Sequence, residues 1–265
     1  MLETMIDLGL AFIQTDFFWE APLKNIDLFR NWMKKITSSP QIIILPETFS
    51  SGFTTHPEVC AEDMSGPSVN FMMETAREKN AIVTGSLMIR DNDKYFNRCI
   101  SAMPDGSLSW YDKRHLFRMS DEYRIFTGGR KKLIITSGEW NIQPLVCYDL
   151  RFPVWTRNTF SEGKYEYDLL IFVANWPASR ANAWKSLLVA RAIENQAYVV
   201  GVNRIGKDGD GTIYSGESLV IDPKGKILLD ASSDPGVYET VLNLDELRHF
   251  RQSFPVAHDW DTFRI

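Results

Sequence analysis

This chain has little cysteine, little histidine and little net charge, and each shortage removes a class of function. Its three cysteines, Cys60, Cys99 and Cys147, cannot all pair within one chain and form no CxxC spacing. Free thiols in a reducing compartment are therefore expected, not a disulfide scaffold. Its four histidines are not set with cysteine at zinc-ligand spacing, so no metal centre is expected. No GxGxxG or GxxxxGK[ST] loop occurs, which removes dinucleotide and P-loop chemistry, and no cofactor is expected. A net charge of −5 has the wrong sign for a nucleic-acid surface. No apolar run approaches the roughly 20 residues of a membrane-spanning helix. The opening segment also lacks the basic stretch and apolar core of a signal peptide. The expectation is a cytoplasmic protein with no membrane or nucleic-acid partner.

What is present is an ordinary globular composition, 44% hydrophobic and 24% charged over 265 residues. Aromatic residues reach 12%, with eight Trp, enough for a tightly packed interior or an aromatic-lined pocket. Elements alternate along the chain. Residues 7–14 read as a strand, and 25–36 as an amphipathic helix with Ile26, Phe29, Met33 and Ile36 on one face. The short apolar run 41–47, closed by a proline, fits a strand buried on both sides. A helix near 67–79 and a strand at 81–90 follow. Residues 97–103 and 107–113 flank the turn "PDG" as a hairpin, and 131–136 and 142–149 form the next pair of strands. Pro153 can open a helix at its first position. A strand at 168–176, a helix at 184–198, a strand at 199–206 and a hairpin within 216–230 complete the pattern. Apolar strands separated by amphipathic helices define a layered α/β fold, and no boundary interrupts residues 1–265, so a single domain is expected. Reactive groups should lie beyond the C-terminal ends of the strands.

Three runs share one design, an apolar strand followed at once by an ionisable or reactive residue. They end at Glu47, Lys113 and Cys147. Taken singly, each has an ordinary explanation: a buried cysteine, a solvated glutamate, a charged loop. Taken together they are chemically complementary. A thiol is mostly protonated at neutral pH and needs a neighbouring base or cation before it attacks a carbonyl. A carboxylate on a rigid strand end can take that proton and later return it to a leaving amine. An ammonium beside the reacting carbon can hold the developing oxyanion, joined by a backbone N–H next to the nucleophile. His115, two residues after Lys113, leaves a Cys–His pair open as an alternative.

The segments "LPETF", "YDKRHLF" and "LVCYDLRFP" resemble, in order and spacing, the motifs of the nitrilase (carbon–nitrogen hydrolase) superfamily, and the resemblance covers essentially the whole chain. It implies a four-layer αββα sandwich. It also implies Cys147 as nucleophile, Glu47 as general base and acid, and Lys113 as oxyanion stabiliser. A second glutamate, matching Glu122, and the backbone N–H of Tyr148 in the oxyanion site come with it. The combination with "ANWP" is most similar to the omega-amidase branch, whose substrates are small amides carrying a carboxylate, such as 2-oxoglutaramate and 2-oxosuccinamate. A guanidinium suits that carboxylate, with Arg151 as the candidate, and Trp176 and Phe117 can wall the pocket. A nitrilase, an N-carbamoyl-amine hydrolase or a catalytically silent binding protein could use the same frame. The family also commonly forms homodimers, to which the aromatic tail 254–265 could contribute.

Overall fold

The apolar runs become strands, and these fall into two six-stranded sheets in a computed structural model that describes residues 7–262. The first sheet has the order β16-β1-β2-β3-β4-β5. Strands β1 (Asp7–Gln14), β2 (Ile42–Ile44) and β3 (Ile82–Asp91) run parallel at its centre. β4 (Lys94–Ala102) and β5 (Leu108–Asp112) continue it antiparallel, and β16 (Gly236–Asn243) closes the other edge against β1. The second sheet has the order β15-β14-β11-β10-β7-β6. It is built from β6 (Ile135–Ser137), β7 (Trp140–Val146), β10 (Leu169–Ala174), β11 (Tyr198–Asn203), β14 (Leu219–Ile221) and β15 (Ile227–Asp230). Two small hairpins lie outside the sheets, β8 (Phe160–Ser161) with β9 (Lys164–Tyr165) and β12 (Ile205–Lys207) with β13 (Ile213–Ser215), as do two one-turn helices, α2 (Pro57–Cys60) and α4 (Glu122–Ile125).

The two-residue period of a strand sorts side chains between layers. Along β1, Leu8, Leu10 and Phe12 join a core shared with β7, β10 and β11 of the other sheet. The intervening Ala11 and Ile13 pack with helices α1 (Pro22–Met33) and α3 (Pro67–Lys79). In β2, Ile42 and Ile44 likewise face the second sheet while Ile43 faces the helices. On the far side, Trp184, Leu188 and Ala192 of α6 (Ala181–Asn195) cover the second sheet. Helix, sheet, sheet, helix is the αββα sandwich expected. Among the described residues no helix is long and apolar enough to cross a membrane.

Element boundaries moved where a local constraint outweighed the apolar pattern. The helix expected at 25–36 begins at Pro22, where a missing N–H costs nothing, and ends at Met33, although Ile36 stays buried. The strand expected at 41–47 keeps only Ile42–Ile44, since Pro46 cannot donate to a ladder. The expected strand 142–149 stops at Val146, because Cys147 starts a 3-10 turn, Cys147–Arg151. Pro153 does open a short helix, α5 (Pro153–Thr156). The helix read at 184–198 spans Ala181–Asn195, ended by Gln196 at a left-handed φ of 44°. Strand β16 and the helix α7 (Leu244–Ser253) had no counterpart in the sequence reading. The tail expected to reach a partner folds back on its own chain as far as it is described. Trp260 meets Tyr165 edge-on at 5.7 Å and His258 meets Phe160 at 5.0 Å, while residues 263–265 lie outside the described residues.

One close approach sets the distance between α6 and its sheet. A Cβ on Gly201 of β11 would stand 2.5 Å from Leu188 Cδ1 and 2.7 Å from the Trp184 ring. That ring cannot swing away freely, because its Nε1 donates to the Glu217 carbonyl at 2.7 Å. Gly201→Ala should therefore cost about 1–3 kcal/mol of stability through overpacking, read as a lower midpoint in urea or thermal unfolding.

Candidate active site

Glu47 is held by the segment that leaves β2 and continues along β3. Leu45 N–H donates to the Thr84 carbonyl at 2.8 Å, and Thr48 N–H to Ser86 Oγ at 2.8 Å. Lys113 follows β5, with its N–H on the Asn97 carbonyl at 2.9 Å. Cys147 follows β7 of the facing sheet. The strand ends of the two sheets thus meet at one rim.

The groups that meet there are almost without solvent. Glu47, Lys113 and Glu122 are each 1% exposed, and Cys147 is 9% exposed. Lys113 Nζ donates to Glu47 Oε1 at 2.9 Å and to Glu122 Oε1 and Oε2 at 2.9 and 3.0 Å. Asn97 Nδ2 bridges the same two carboxylates, at 2.8 Å to Glu47 and 3.2 Å to Glu122. Glu47 Oε2 accepts from the Asn175 backbone N–H at 2.7 Å, and Glu122 Oε2 from the Phe117 N–H at 2.6 Å. Burial alone would lower the Lys113 ammonium, but Glu122 and Glu47 outweigh it and hold the group charged well above the usual lysine range. Burial raises the Glu122 carboxyl; the Lys113 cation opposes that rise, and the neighbouring Glu47 charge adds to it.

Cys147 has a backbone φ of 41°, a left-handed conformation that costs a non-glycine residue about 1–3 kcal/mol and marks sites where position outweighs comfort. Its sulfur is 3.9 Å from the carbonyl of Asn175, whose backbone N–H donates to Glu47 at 2.7 Å. Burial first, then the Glu47 charge, push the thiol well above its ordinary value, with Lys113 pulling the other way. It rests as S–H beside a carboxylate, so the pair can trade one proton. Tyr148 places its N–H in the first turn of the 3-10 segment, where backbone donors lack an intrahelical acceptor.

His115 is not placed as the base of a Cys–His pair. Its Nδ1 pairs with buried Asp149 at 2.8 Å and its ring stacks flat on Phe152 at 3.7 Å. Asp149 also accepts from Tyr111 OH at 2.8 Å and from Val146 N–H at 3.2 Å, which braces the turn that carries the cysteine.

The cluster floors a cleft of about 380 Å³ whose lining includes Phe117, Tyr148, Arg151, Trp176 and Tyr214. The Arg151 guanidinium rides over the Trp176 ring at 4.8 Å. Phe117 packs edge-on against Tyr148 at 5.1 Å. The residues singled out from the sequence, His115 excepted, therefore reach one site. Asn97 and Asn175 were missed. An asparagine inside a strand, as Asn97, or just past its end, as Asn175, carries no signal of its own, and only the pairing of distant strands shows what these two hold. Among the described residues no cluster of His, Cys, Asp and Glu could hold a metal ion.

An αββα sandwich with a cysteine, a lysine and two glutamates buried under one cleft defines a hydrolase of the nitrilase type. Residues 10–252 match the carbon–nitrogen hydrolase family, and the chain belongs to it. It is 41% identical to the omega-amidase YafV of Escherichia coli K12 over 98% of this chain and all of that one. It is 30% identical to a 2-oxoglutaramate amidase of Bacillus subtilis, over 94% and 96% of the two chains. A solved CN-hydrolase superfamily protein of Xanthomonas campestris, with an arsenic adduct in its active site, superposes at a TM-score of 0.96. That protein is 42% identical, over 98% of this chain and 100% of its own.

Removing the ammonium would leave two facing buried carboxylates without their cation. Lys113→Met should therefore lose about 3–5 kcal/mol at neutral pH. With the opposing cation gone, the folded-state Glu122 carboxyl rises further above its unfolded value. The native state then binds more protons than the unfolded one, so the variant's stability falls as pH rises and recovers toward pH 5. Denaturation midpoints at pH 5 and pH 8, against the parent chain, measure this.

Proposed function

We propose that the chain is an amidase of the omega-amidase kind, releasing ammonia from the terminal amide of a small carboxylate-bearing substrate such as 2-oxoglutaramate. The observation that carries this is the pairing, in one cleft, of the buried Glu47–Lys113–Glu122–Cys147 cluster with a guanidinium, Arg151, that has no carboxylate partner among the described residues. The names and identities of the relatives point the same way.

In this reading Glu47 takes the Cys147 proton as the sulfur bonds to the amide carbon, and the C=O electrons move onto oxygen. The oxyanion is met by the Lys113 ammonium and the Tyr148 N–H. Two of the Lys113 contacts go to a single carboxylate, Glu122, so one N–H can turn to the oxyanion with both glutamates still paired. The tetrahedral adduct collapses, the C–N bond breaks, and ammonia leaves with the proton from Glu47. Glu47 then deprotonates a water that attacks the thioester; the C–S bond breaks and the thiol recovers its proton. Arg151 holds the substrate carboxylate, with Trp176 and Phe117 as walls. Glu122 keeps Lys113 aimed and charged.

Ammonia release should be found with 2-oxoglutaramate and not with a simple nitrile or an N-carbamoyl amino acid; the reverse preference overturns the reading. Cys147→Ala should lower turnover on the order of 10⁴-fold or more with the fold intact, whereas Cys60→Ala and Cys99→Ala stay active.

We further propose a single-domain, cytoplasmic homodimer. Three free cysteines suit a reducing compartment. Ile193 on α6 and Phe254 after α7, 51% and 57% exposed, are apolar groups on the outer helices suited to a partner. Light scattering should give twice the 30.4 kDa chain mass.

A further inference from the structure

The cleft holds a second arginine. Arg180 closes the 3-10 turn Ala178–Arg180, and its carbonyl accepts from Trp176 Nε1 at 2.8 Å. Its guanidinium carbon lies 5.4 Å from the centre of the Phe117 ring, as that of Arg151 lies 4.8 Å from Trp176. Two of the aromatic side chains lining the cleft thus carry one guanidinium each, at a distance where the ring face attracts a cation. Among the described residues neither arginine is in an ion pair with a carboxylate.

The two aspartates that line the cleft make no ion pair with either arginine among the described residues. Asp208 is 9% exposed, and its two oxygens are committed, Oδ1 to the Thr212 N–H at 2.8 Å and Oδ2 to Tyr214 OH at 2.7 Å. Asp210 also lines the cleft, from an exposed position on the same β12–β13 hairpin. Lys113, by contrast, already has two carboxylates. The cleft therefore has one cation held by carboxylates at the reacting end, and two guanidiniums, on Trp176 and Phe117, whose N–H donors meet no carboxylate among the described residues.

One carboxylate satisfies one guanidinium through two parallel hydrogen bonds. The second guanidinium, with donors left over and no acceptors, suits a neutral oxygen beside that carboxylate and disfavours an ammonium there. We propose that Arg180, acting beside Arg151, receives the 2-oxo oxygen of the substrate and so selects 2-oxo acid amides over 2-amino acid amides. This rests on the amidase reading above and names the substrate class of that same cleft.

The test compares kcat and KM for 2-oxoglutaramate, glutaramate, which lacks the 2-oxo group, and L-glutamine, in the parent chain, Arg180→Gln and Arg151→Gln. Removing a donor from a site built around a substrate oxygen should raise the KM of Arg180→Gln for 2-oxoglutaramate about tenfold or more, with kcat nearly unchanged. Its preference for 2-oxoglutaramate over L-glutamine should shrink by about tenfold or more, and glutaramate should change by less than about threefold. Arg151→Gln should weaken all three substrates together. An unchanged preference ratio in Arg180→Gln, or an equal loss on glutaramate and 2-oxoglutaramate, overturns the assignment while leaving the amidase reading in place. A parent chain inert toward 2-oxoglutaramate overturns both.

Discussion

The sharing of one buried ammonium by two buried carboxylates is the constraint on which the rest of the site depends. Lys113, Glu47 and Glu122 are all but inaccessible to solvent, and a lone charge in such a place would cost several kcal/mol. The arrangement survives because every charged oxygen has a donor: Lys113 and Asn97 for both glutamates, the Asn175 N–H for one, the Phe117 N–H for the other. Those donors come from both sheets and from the loop after β5. The site can exist only when both sheets are assembled, so the core between them and the chemistry at their rim are one construction.

The thiol joins this cluster under strain. Two residues next to the reacting groups, Thr48 and Cys147, both adopt a φ of 41°, in a region that β-branched and other non-glycine side chains avoid. At Cys147 the change from strand to 3-10 turn lifts the sulfur toward Glu47, and Asp149, held by Tyr111 and His115, keeps the turn from relaxing. The histidine that could have competed as a base thus serves the geometry of the cysteine from behind. Rigidity of this kind suits a nucleophile that rests protonated, because the proton must move without a search for its acceptor.

Much of the architecture was legible along the chain, for a clear reason. The αβ alternation, the two-sided burial of Ile42–Ile44, and the hairpins around "PDG" and "DPKG" are local patterns of period and turn chemistry. Strand β16 escaped because its residues are mostly half-buried, "GVYETVLN", and its place is set by pairing with β1 more than 220 positions away. Glu47, Lys113 and Cys147 could be found because each follows an apolar run directly. Asn97, Asn175 and Arg180 could not, since their meaning lies wholly in what distant residues they meet.

By itself, then, the sequence determined the kind of fold and the reagents: alternating apolar elements specify layers, and a thiol, a carboxylate and an ammonium at strand ends specify a chemistry. These are properties of short stretches, readable wherever the stretch lies. Only the tertiary structure decided how the charges balance. It gave Lys113 two carboxylates, turned His115 away to Asp149, and left Arg151 and Arg180 on two aromatic side chains with no carboxylate partner among the described residues. Charge balance in a cleft is set by distances of a few ångströms between residues far apart in the chain, and those distances exist only after the two sheets have closed on each other.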